Sequence, residues 1–224
     1  MKKNVVSAFV LIVTVISIPC LSFSKDNSQT PQQLYDEGRY SEAFEIWARR
    51  ANEGDVNAQI KISGMYARGE GVKKDPEMSV FWVKKAALRG DRGAQHYLAR
   101  SYERGVGTGK DLCLAFKWYK ESAAQGYADS IFRLGIFYSN GFCVPQDLEK
   151  SDELILEAAN RGSIGAQVTI AYAYETEDSR TIEDIDTAIF WYQKAAQQGY
   201  EWAGERLVEL RNEKIKAMKQ QMDR

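Results

Sequence analysis

Five glycines recur along this chain at an almost constant spacing. The intervals are 36, 36, 36 and 37 residues, and the glycines are Gly54, Gly90, Gly126, Gly162 and Gly199. A fixed period of this length is the signature of supersecondary units that stack on one another, because a single unit cannot bury its apolar face alone. The spacing therefore predicts a repeat array, an architecture that usually offers its surface to partners.

Other residues repeat in register with these glycines. A small residue stands four positions after each glycine: Ala58, Ala94, Ser130, Ala166 and Ala203. A large apolar residue stands eight positions after it: Ile62, Leu98, Leu134, Ile170 and Leu207. A tyrosine stands twelve positions after each of the first four: Tyr66, Tyr102, Tyr138 and Tyr174. These offsets lie along one stripe of an α-helix, so each period is predicted to begin with a helix, here called helix A.

A second helix, helix B, is predicted to complete each period. Glycine-rich turns follow helix A, and an aspartate then stands where a new helix needs an acceptor for its free N–H groups. These aspartates are Asp75, Asp111, Asp147 and Asp184. Large apolar pairs and then a small pair follow, and the next period glycine is predicted to end helix B. No β-sheet is expected.

The complete motif resembles a known family. Its clearest copy, Ala115 to Gly126, reads Ala-Phe-Lys-Trp-Tyr-Lys-Glu-Ser-Ala-Ala-Gln-Gly, and residues 188–199 nearly repeat it. With the Gly-x3-Ala-x3-Leu-x3-Tyr pattern of helix A, this resembles the Sel-one-like (Sel1-like) repeat family, a branch of the tetratricopeptide-like helical repeats, over about residues 54–203. The resemblance implies an all-α fold, namely a right-handed α-solenoid of stacked antiparallel helix pairs with about eleven helices.

The register divides the chain into segments. They are a signal peptide at 1–24, a flexible leader at 25–30, a tetratricopeptide-like opening unit at 31–53, four repeats at 54–89, 90–125, 126–161 and 162–198, and a C-terminal capping helix at 199–224. The fourth repeat carries one extra residue, so the turn from Tyr174 to Asp184 is expected to be irregular and mobile.

The N-terminus has the composition of a secretory signal. A charged start, Met1 to Lys3, precedes an apolar run from Val5 to Ile18 that is short for a membrane span. Small residues at Ser22 and Ser24 predict cleavage after Ser24, which leaves a periplasmic or secreted protein without stable membrane insertion. An uncleaved anchor is one alternative; lipid attachment at Cys20 is another, disfavoured by the proline that precedes it.

Charge and motif content argue against several functions. The chain has 30 Lys+Arg, 31 Asp+Glu and one His, a net charge of -1, without the basic stripe that nucleic-acid binding requires. A lone His96 makes no recognisable metal-ligand set, and no nucleophile elbow, phosphate loop or zinc helix is present. We therefore predict no catalytic residue, no metal and no cofactor. The alternative is a protein that binds or hydrolyses β-lactams or cell-wall fragments, as the resemblance to cysteine-rich family members suggests, although this chain lacks their regular cysteine pairs.

Two cysteines remain after the predicted cleavage. Cys113 lies near the start of helix B in the second repeat, and Cys143 lies in the turn of the third. Stacking at this period brings a turn beside the start of the preceding helix B, so a disulfide is predicted in an oxidising compartment. The alternative is two half-buried thiols that pack as small apolar groups.

The family resemblance also places a binding surface. In tetratricopeptide-like arrays helix A lines the concave wall, which predicts a partner-binding groove at Ile60, His96, Arg100, Arg104, Phe132, Ile136, Val168 and Tyr172. Apolar residues edged by arginines are typical of binding hot spots. The alternative is a helical phase that is off by one position, which would place these residues in the core.

These observations together predict an exported, non-enzymatic bacterial scaffold for protein–protein interaction. Its partner would be another protein of the cell envelope or a secreted effector. An adaptor, a regulator of a sensor, and an immunity or inhibitor protein against a secreted toxin all fit this prediction.

Overall fold

The computed structural model describes residues 29–176 and 181–222, and within these ranges it contains eleven α-helices and no strand. The helices are α1 Pro31–Asp36, α2 Tyr40–Asn52, α3 Val56–Arg68, α4 Pro76–Leu88, α5 Arg92–Arg104, α6 Leu112–Ala124, α7 Ala128–Asn140, α8 Leu148–Asn160, α9 Ile164–Thr176, α10 Ile182–Gln197 and α11 Glu201–Met222. The predicted signal peptide lies outside the described residues.

Each helix packs against the next one along the chain, from α1 through α11. Helices α3, α5, α7 and α9 are the predicted helices A, and α4, α6, α8 and α10 are the predicted helices B. The prediction of an all-α solenoid of stacked antiparallel helix pairs is therefore confirmed, with the expected number of helices.

Helix B meets the next helix A through small side chains. The small residue four positions after each period glycine is buried in every unit: Ala58, Ala94, Ser130, Ala166 and Ala203. Beside it, the Gln59, Gln95 and Gln167 amides donate to the carbonyls of Ala51, Ala87 and Ala159, at 3.1, 3.3 and 3.0 Å. These carbonyls lie in the last turn of the preceding helix and already accept a bond from the N–H of the period glycine. The glutamine adds a second bond to the same oxygen and thereby links the two helices.

The period glycines end helix B as predicted. After α4, Gly90 has a φ of 89°, in the left-handed region that an L side chain rarely adopts. The N–H groups of Gly90 and Asp91 donate to the carbonyls of Ala87 and Ala86, which is the Schellman arrangement. Asp91 then accepts a bond from the N–H of Ala94 and caps α5, so one tight link ends one unit and starts the next.

Three of the four predicted aspartate caps are confirmed. Asp75, Asp111 and Asp147 each precede a helix B and accept a bond from a backbone N–H of its first turn. The prediction for Asp184 is wrong: α10 begins at Ile182, its cap is Thr181, and the Asp184 carboxylate accepts a bond from the backbone N–H of Thr181. Helix α10 therefore has 16 residues, compared with 13 in α8. Residues 177–180 of the predicted irregular turn lie outside the described ranges.

The turn between helices A and B packs against the backbone of the preceding unit. A methyl group added at Gly107 would lie 2.1 Å from the carbonyl oxygen of Pro76, at the start of α4. At Gly71 it would lie 2.4 Å from the carbonyl oxygen of Tyr40, at the start of α2. In both turns, glycine is required because two backbones touch.

In the third repeat the equivalent contact is covalent. Cys143 takes the place of the glycine and keeps its left-handed conformation, with a φ of 58°. Its sulfur is joined to that of Cys113 in the first turn of α6, with a Cα–Cα distance of 5.3 Å. The predicted disulfide is therefore present, and it links the third repeat to the second at the point where glycine turns touch their neighbours.

The two ends of the array are closed by partial units. At the N-terminus, Leu34 of α1 and Trp47 of α2 are buried in a cluster with Ala58 and Ile62 of the first repeat. At the C-terminus, α11 buries Leu207 and Leu210 against the core of the last repeat. Such capping is needed because the terminal repeats of an array would otherwise expose an apolar face.

The first prediction concerns the disulfide. Its loss is expected to lower the free energy of unfolding by about 3–4 kcal/mol, because it closes a loop of 30 residues in the unfolded chain. Urea unfolding with and without dithiothreitol measures this difference. In Cys113→Ala/Cys143→Ala the reductant should have no effect; an unchanged midpoint on reduction of the unsubstituted protein would contradict the prediction.

Candidate functional site

One face of the helices A points away from the helices B and from the core. Its positions recur at three, seven, ten and fourteen residues after each period glycine. We call this surface the helix-A face; its larger side chains are Lys61, Arg68, Tyr97, Arg100, Arg104, Arg133, Ile136 and Tyr172. Tyr97 and Tyr172 are 51% and 56% exposed.

Four of the eight predicted groove residues belong to this face. Arg100, Arg104 and Tyr172 are exposed, and Ile136 is half-buried. They lie ten or fourteen positions after their glycines. The interpretation of these rows as outward-facing agrees with the structure, while a role for them in partner binding stays a prediction.

The other four residues face the neighbouring unit, contrary to the expectation of a solvent-facing row. His96 is only 8% exposed. Ile60, Phe132 and Val168 are half-buried against the core clusters. Phe132 illustrates the cause, because its ring packs on Gly165 of the next helix A, where an added methyl group would lie 2.8 Å away. The phase of this row is off by one position.

The row of the helix-A face at this level lies one residue later in the sequence than the predicted row. It consists of Lys61, Tyr97, Arg133 and Thr169, which sequence reasoning missed. Helix geometry distinguishes the two rows. Positions three, seven, ten and fourteen residues after the period glycine lie on one face of a helix, whereas position six lies on the side that faces the next repeat.

His96 is held by a chain of hydroxyl groups beneath the face. Its Nδ1 lies 2.9 Å from the Ser130 hydroxyl. Ser130 donates to Ser122 at 2.8 Å, and Ser122 donates to the carbonyl of Arg92 at 2.7 Å. Since both hydroxyl hydrogens are used, Ser130 must accept from His96, which assigns the proton of the neutral imidazole to Nδ1.

Burial lowers the pKa of His96 from 6.5 to about 4. Asp129 opposes this shift, and Arg100 and Arg133 add to it. The ring also packs beside Tyr119 and Tyr127, with centroids 5.5 and 5.0 Å apart. His96 is therefore a neutral packing group near pH 7.

A cleft of about 570 Å³ opens on the helix-A face between α3 and α5, with α4 as its floor. We call it the α3–α5 cleft. Its apolar side chains are Ile60, Ala67, Pro76, Val80, Val83 and Val106. Its charged side chains are Lys61, Arg68, Lys74, Arg100 and Arg104, and no acidic residue lines it. Its volume is in the range of small-molecule and peptide side-chain pockets.

The described residues hold neither a cluster of metal ligands nor a membrane-spanning helix. Residues 29–176 and 181–222 contain no group of three His, Cys, Asp or Glu side chains placed to hold a metal ion. No helix in that part of the chain is both long and apolar enough to cross a membrane.

The fold and its repeating contacts define a helical-repeat solenoid. The sequence model of the Sel1 repeat matches residues 56–91, 93–127, 128–163 and 165–200, more than half of the chain. The chain therefore belongs to the Sel1 repeat family.

Solved structures include similar proteins. A Sel1 repeat protein from Oxalobacter formigenes is 29% identical with a TM-score of 0.69, over 80% of this chain and 73% of that one. A protective antigen of uropathogenic Escherichia coli with an SLR fold is also 29% identical with a TM-score of 0.64, over 79% of this chain and 40% of that one. No curated protein matches this chain.

The second prediction follows from the buried imidazole. The pKa of His96 is about 4 in the fold, below 6.5, so the unfolded chain takes up the proton first as the pH falls. Between pH 7 and 4.5 the free energy of unfolding should therefore fall by about 2 kcal/mol more in the unsubstituted protein than in His96→Gln. Urea unfolding at both pH values measures this.

His96 is the only histidine of the chain, so the comparison isolates one group. All carboxyl groups are present in both proteins. Parallel losses in the two proteins would show that His96 is solvated in solution.

Proposed function

We propose that this protein is an exported, non-enzymatic binding scaffold whose helix-A face holds a protein partner. The carrying observation is the exposure of Tyr97, Tyr172, Arg100 and Arg104 together on one face of a rigid array. Tyrosine and arginine are the residues in which interface energy concentrates, and a solvated helix face has no structural need for them. Membership of the Sel1 repeat family, whose helical repeats form interaction scaffolds, supports the proposal.

The state of the arginines adds to this argument. Arg100 and Arg104 make no ion pair with any residue in the described ranges. By contrast, Arg133 on the same face pairs with Glu103, and Arg206 near the end of the array pairs with Glu175. A cation on a rigid helix without its own counter-ion is available to a partner's carboxylate.

The proposed partner is a protein of the cell envelope or a secreted effector. This surface would serve an adaptor, a regulator of a sensor, or an inhibitor of a secreted toxin. Export is part of the proposal: the apolar run from Val5 to Ile18 and the Cys113–Cys143 disulfide both fit an oxidising compartment outside the cytoplasm.

The third prediction tests export. The chain expressed from Met1 in a Gram-negative host is expected in the periplasmic fraction, with a mass that corresponds to a protein beginning at Lys25. Mass spectrometry of the fractionated protein measures this. A full-length mass in the cytoplasm would contradict export while leaving the binding scaffold untouched.

The fourth prediction tests the helix-A face. The protein spanning Lys25–Arg224 should capture a stoichiometric partner from envelope extract, and Tyr172→Glu should reduce capture at least tenfold, because it places a charge where an aromatic contact is buried. Phe190→Glu is the matched control, since Phe190 of α10 is 51% exposed but lies on a helix B. It should capture normally.

Circular dichroism of both variants verifies that the fold is intact. Equal capture by all three proteins, or a loss confined to Phe190→Glu, would contradict the use of the helix-A face. If the unsubstituted protein captures no protein at all, the scaffold proposal fails and the next experiment is a screen of cell-wall fragments and β-lactams.

A further inference from the structure

The α3–α5 cleft exists because the first repeat lacks a network that fills the same space elsewhere. In the second repeat the buried Tyr119 hydroxyl donates to Glu103 at 2.6 Å, and Glu103 pairs with Arg133 of the next helix A. These three side chains close the gap between α5, α6 and α7. Burial raises the pKa of Tyr119, so it remains a neutral donor at physiological pH.

The fourth repeat contains the same network. Tyr192 donates to Glu175 at 2.7 Å, and the Nε of Arg206 donates to that carboxylate at 2.7 Å. The tyrosine, the glutamate and the arginine stand at the same positions of the period as in the second repeat. The network is therefore a recurring device of the array.

The first repeat lacks all three members at these positions. It has Val83 for the tyrosine, Ala67 for the glutamate and Tyr97 for the arginine. All three line the α3–α5 cleft, and Tyr97 points outward. The third repeat also lacks the network, but there Ile155 packs on Gly135, where an added methyl group would lie 2.8 Å from it, so the helices are in contact. The first repeat thus combines the missing network with an open cleft.

The charge of the cleft is unbalanced. Arg68 is paired with Glu70 at 2.7 Å, and Lys61 donates to Gln32 at 2.8 Å. Lys74, Arg100 and Arg104 make no ion pair with a residue in the described ranges. The repeat that has Ala67 in place of the buried glutamate thus has several cations around that position, and a carboxylate from a ligand would balance their charge.

We propose that the α3–α5 cleft binds an acidic segment of the partner protein, with one large apolar side chain on the floor formed by Val80 and Val83 and carboxylates against Arg100 and Arg104. This rests on the proposed function, since the cleft is part of the helix-A face. The apolar floor favours a peptide over a nucleic acid, because a peptide brings an apolar side chain to Val80 and Val83 whereas a phosphate backbone does not.

The experiment uses fluorescence anisotropy with the purified protein. The probe is a fluorescein-labelled heptapeptide with one phenylalanine between two groups of three glutamates. Saturable binding is expected, weakened at least tenfold by Arg100→Glu/Arg104→Glu and strongly by an increase of NaCl from 50 to 500 mM. Lys117→Glu/Lys120→Glu makes the same charge change on exposed positions of α6, outside the cleft, and should leave binding within twofold.

Two further probes test the chemistry of the occupant. Replacing the phenylalanine of the peptide by alanine should weaken binding at least fivefold, because the apolar floor loses its contact, and replacing the glutamates by lysines should abolish it. Equal losses in the two charge variants, equal binding of a labelled ten-residue oligothymidylate, or no saturation up to 1 mM peptide would each overturn the proposal.

Failure of the acidic-segment proposal can be distinguished from failure of the scaffold proposal. Tyr172 lies outside the cleft, so a captured partner that is lost with Tyr172→Glu but retained by Arg100→Glu/Arg104→Glu would overturn the acidic segment and leave the scaffold standing. Circular dichroism and urea unfolding of each variant exclude loss by unfolding.

Discussion

The close contact between each helix B and the following helix A is the constraint on which the rest of this structure depends. A buried alanine or serine four residues after each period glycine lets the helices approach, and a glutamine beside it in three of the junctions donates to a carbonyl in the last turn of the preceding helix. Because one contact is repeated, its geometry fixes the direction in which the array grows. The helix-A face is one result, since the same side of each helix A is left uncovered.

Much of this could be predicted from the sequence, because the determinants of a unit are local. Glycines with positive φ and the aspartate caps act on residues within a few positions of themselves. The helix ends can therefore be predicted from the spacing of these residues in the sequence. Asp184 is not the cap, because α10 begins earlier than the repeat register predicts, at Ile182 after its cap Thr181. The burial of His96 depends on Ser130, and the position of Phe132 depends on Gly165, each in another repeat. Such contacts between units decide which row faces solvent, and no local pattern records them.

The cleft was not predictable for a related reason. The tyrosine, glutamate and arginine of the buried network come from three helices, separated by up to 31 residues in the fourth unit. Their joint absence from the first repeat has meaning only when they are known to touch. The repeats therefore alternate in how this space is filled. Repeats two and four carry the ionic network, the first repeat has an open cleft in its place, and the third has direct packing between helices.

The disulfide lies at the middle junction of this array, between the basic cleft and Tyr172. Each junction of a solenoid is a small hinge, and the bending of the whole array is the sum of their rotations. A covalent link at this central junction restricts its bending, and so restricts changes in the distance between the two halves of the helix-A face. A partner that contacts both halves then meets them at a nearly fixed separation. Less conformational entropy of the array is lost when the complex forms.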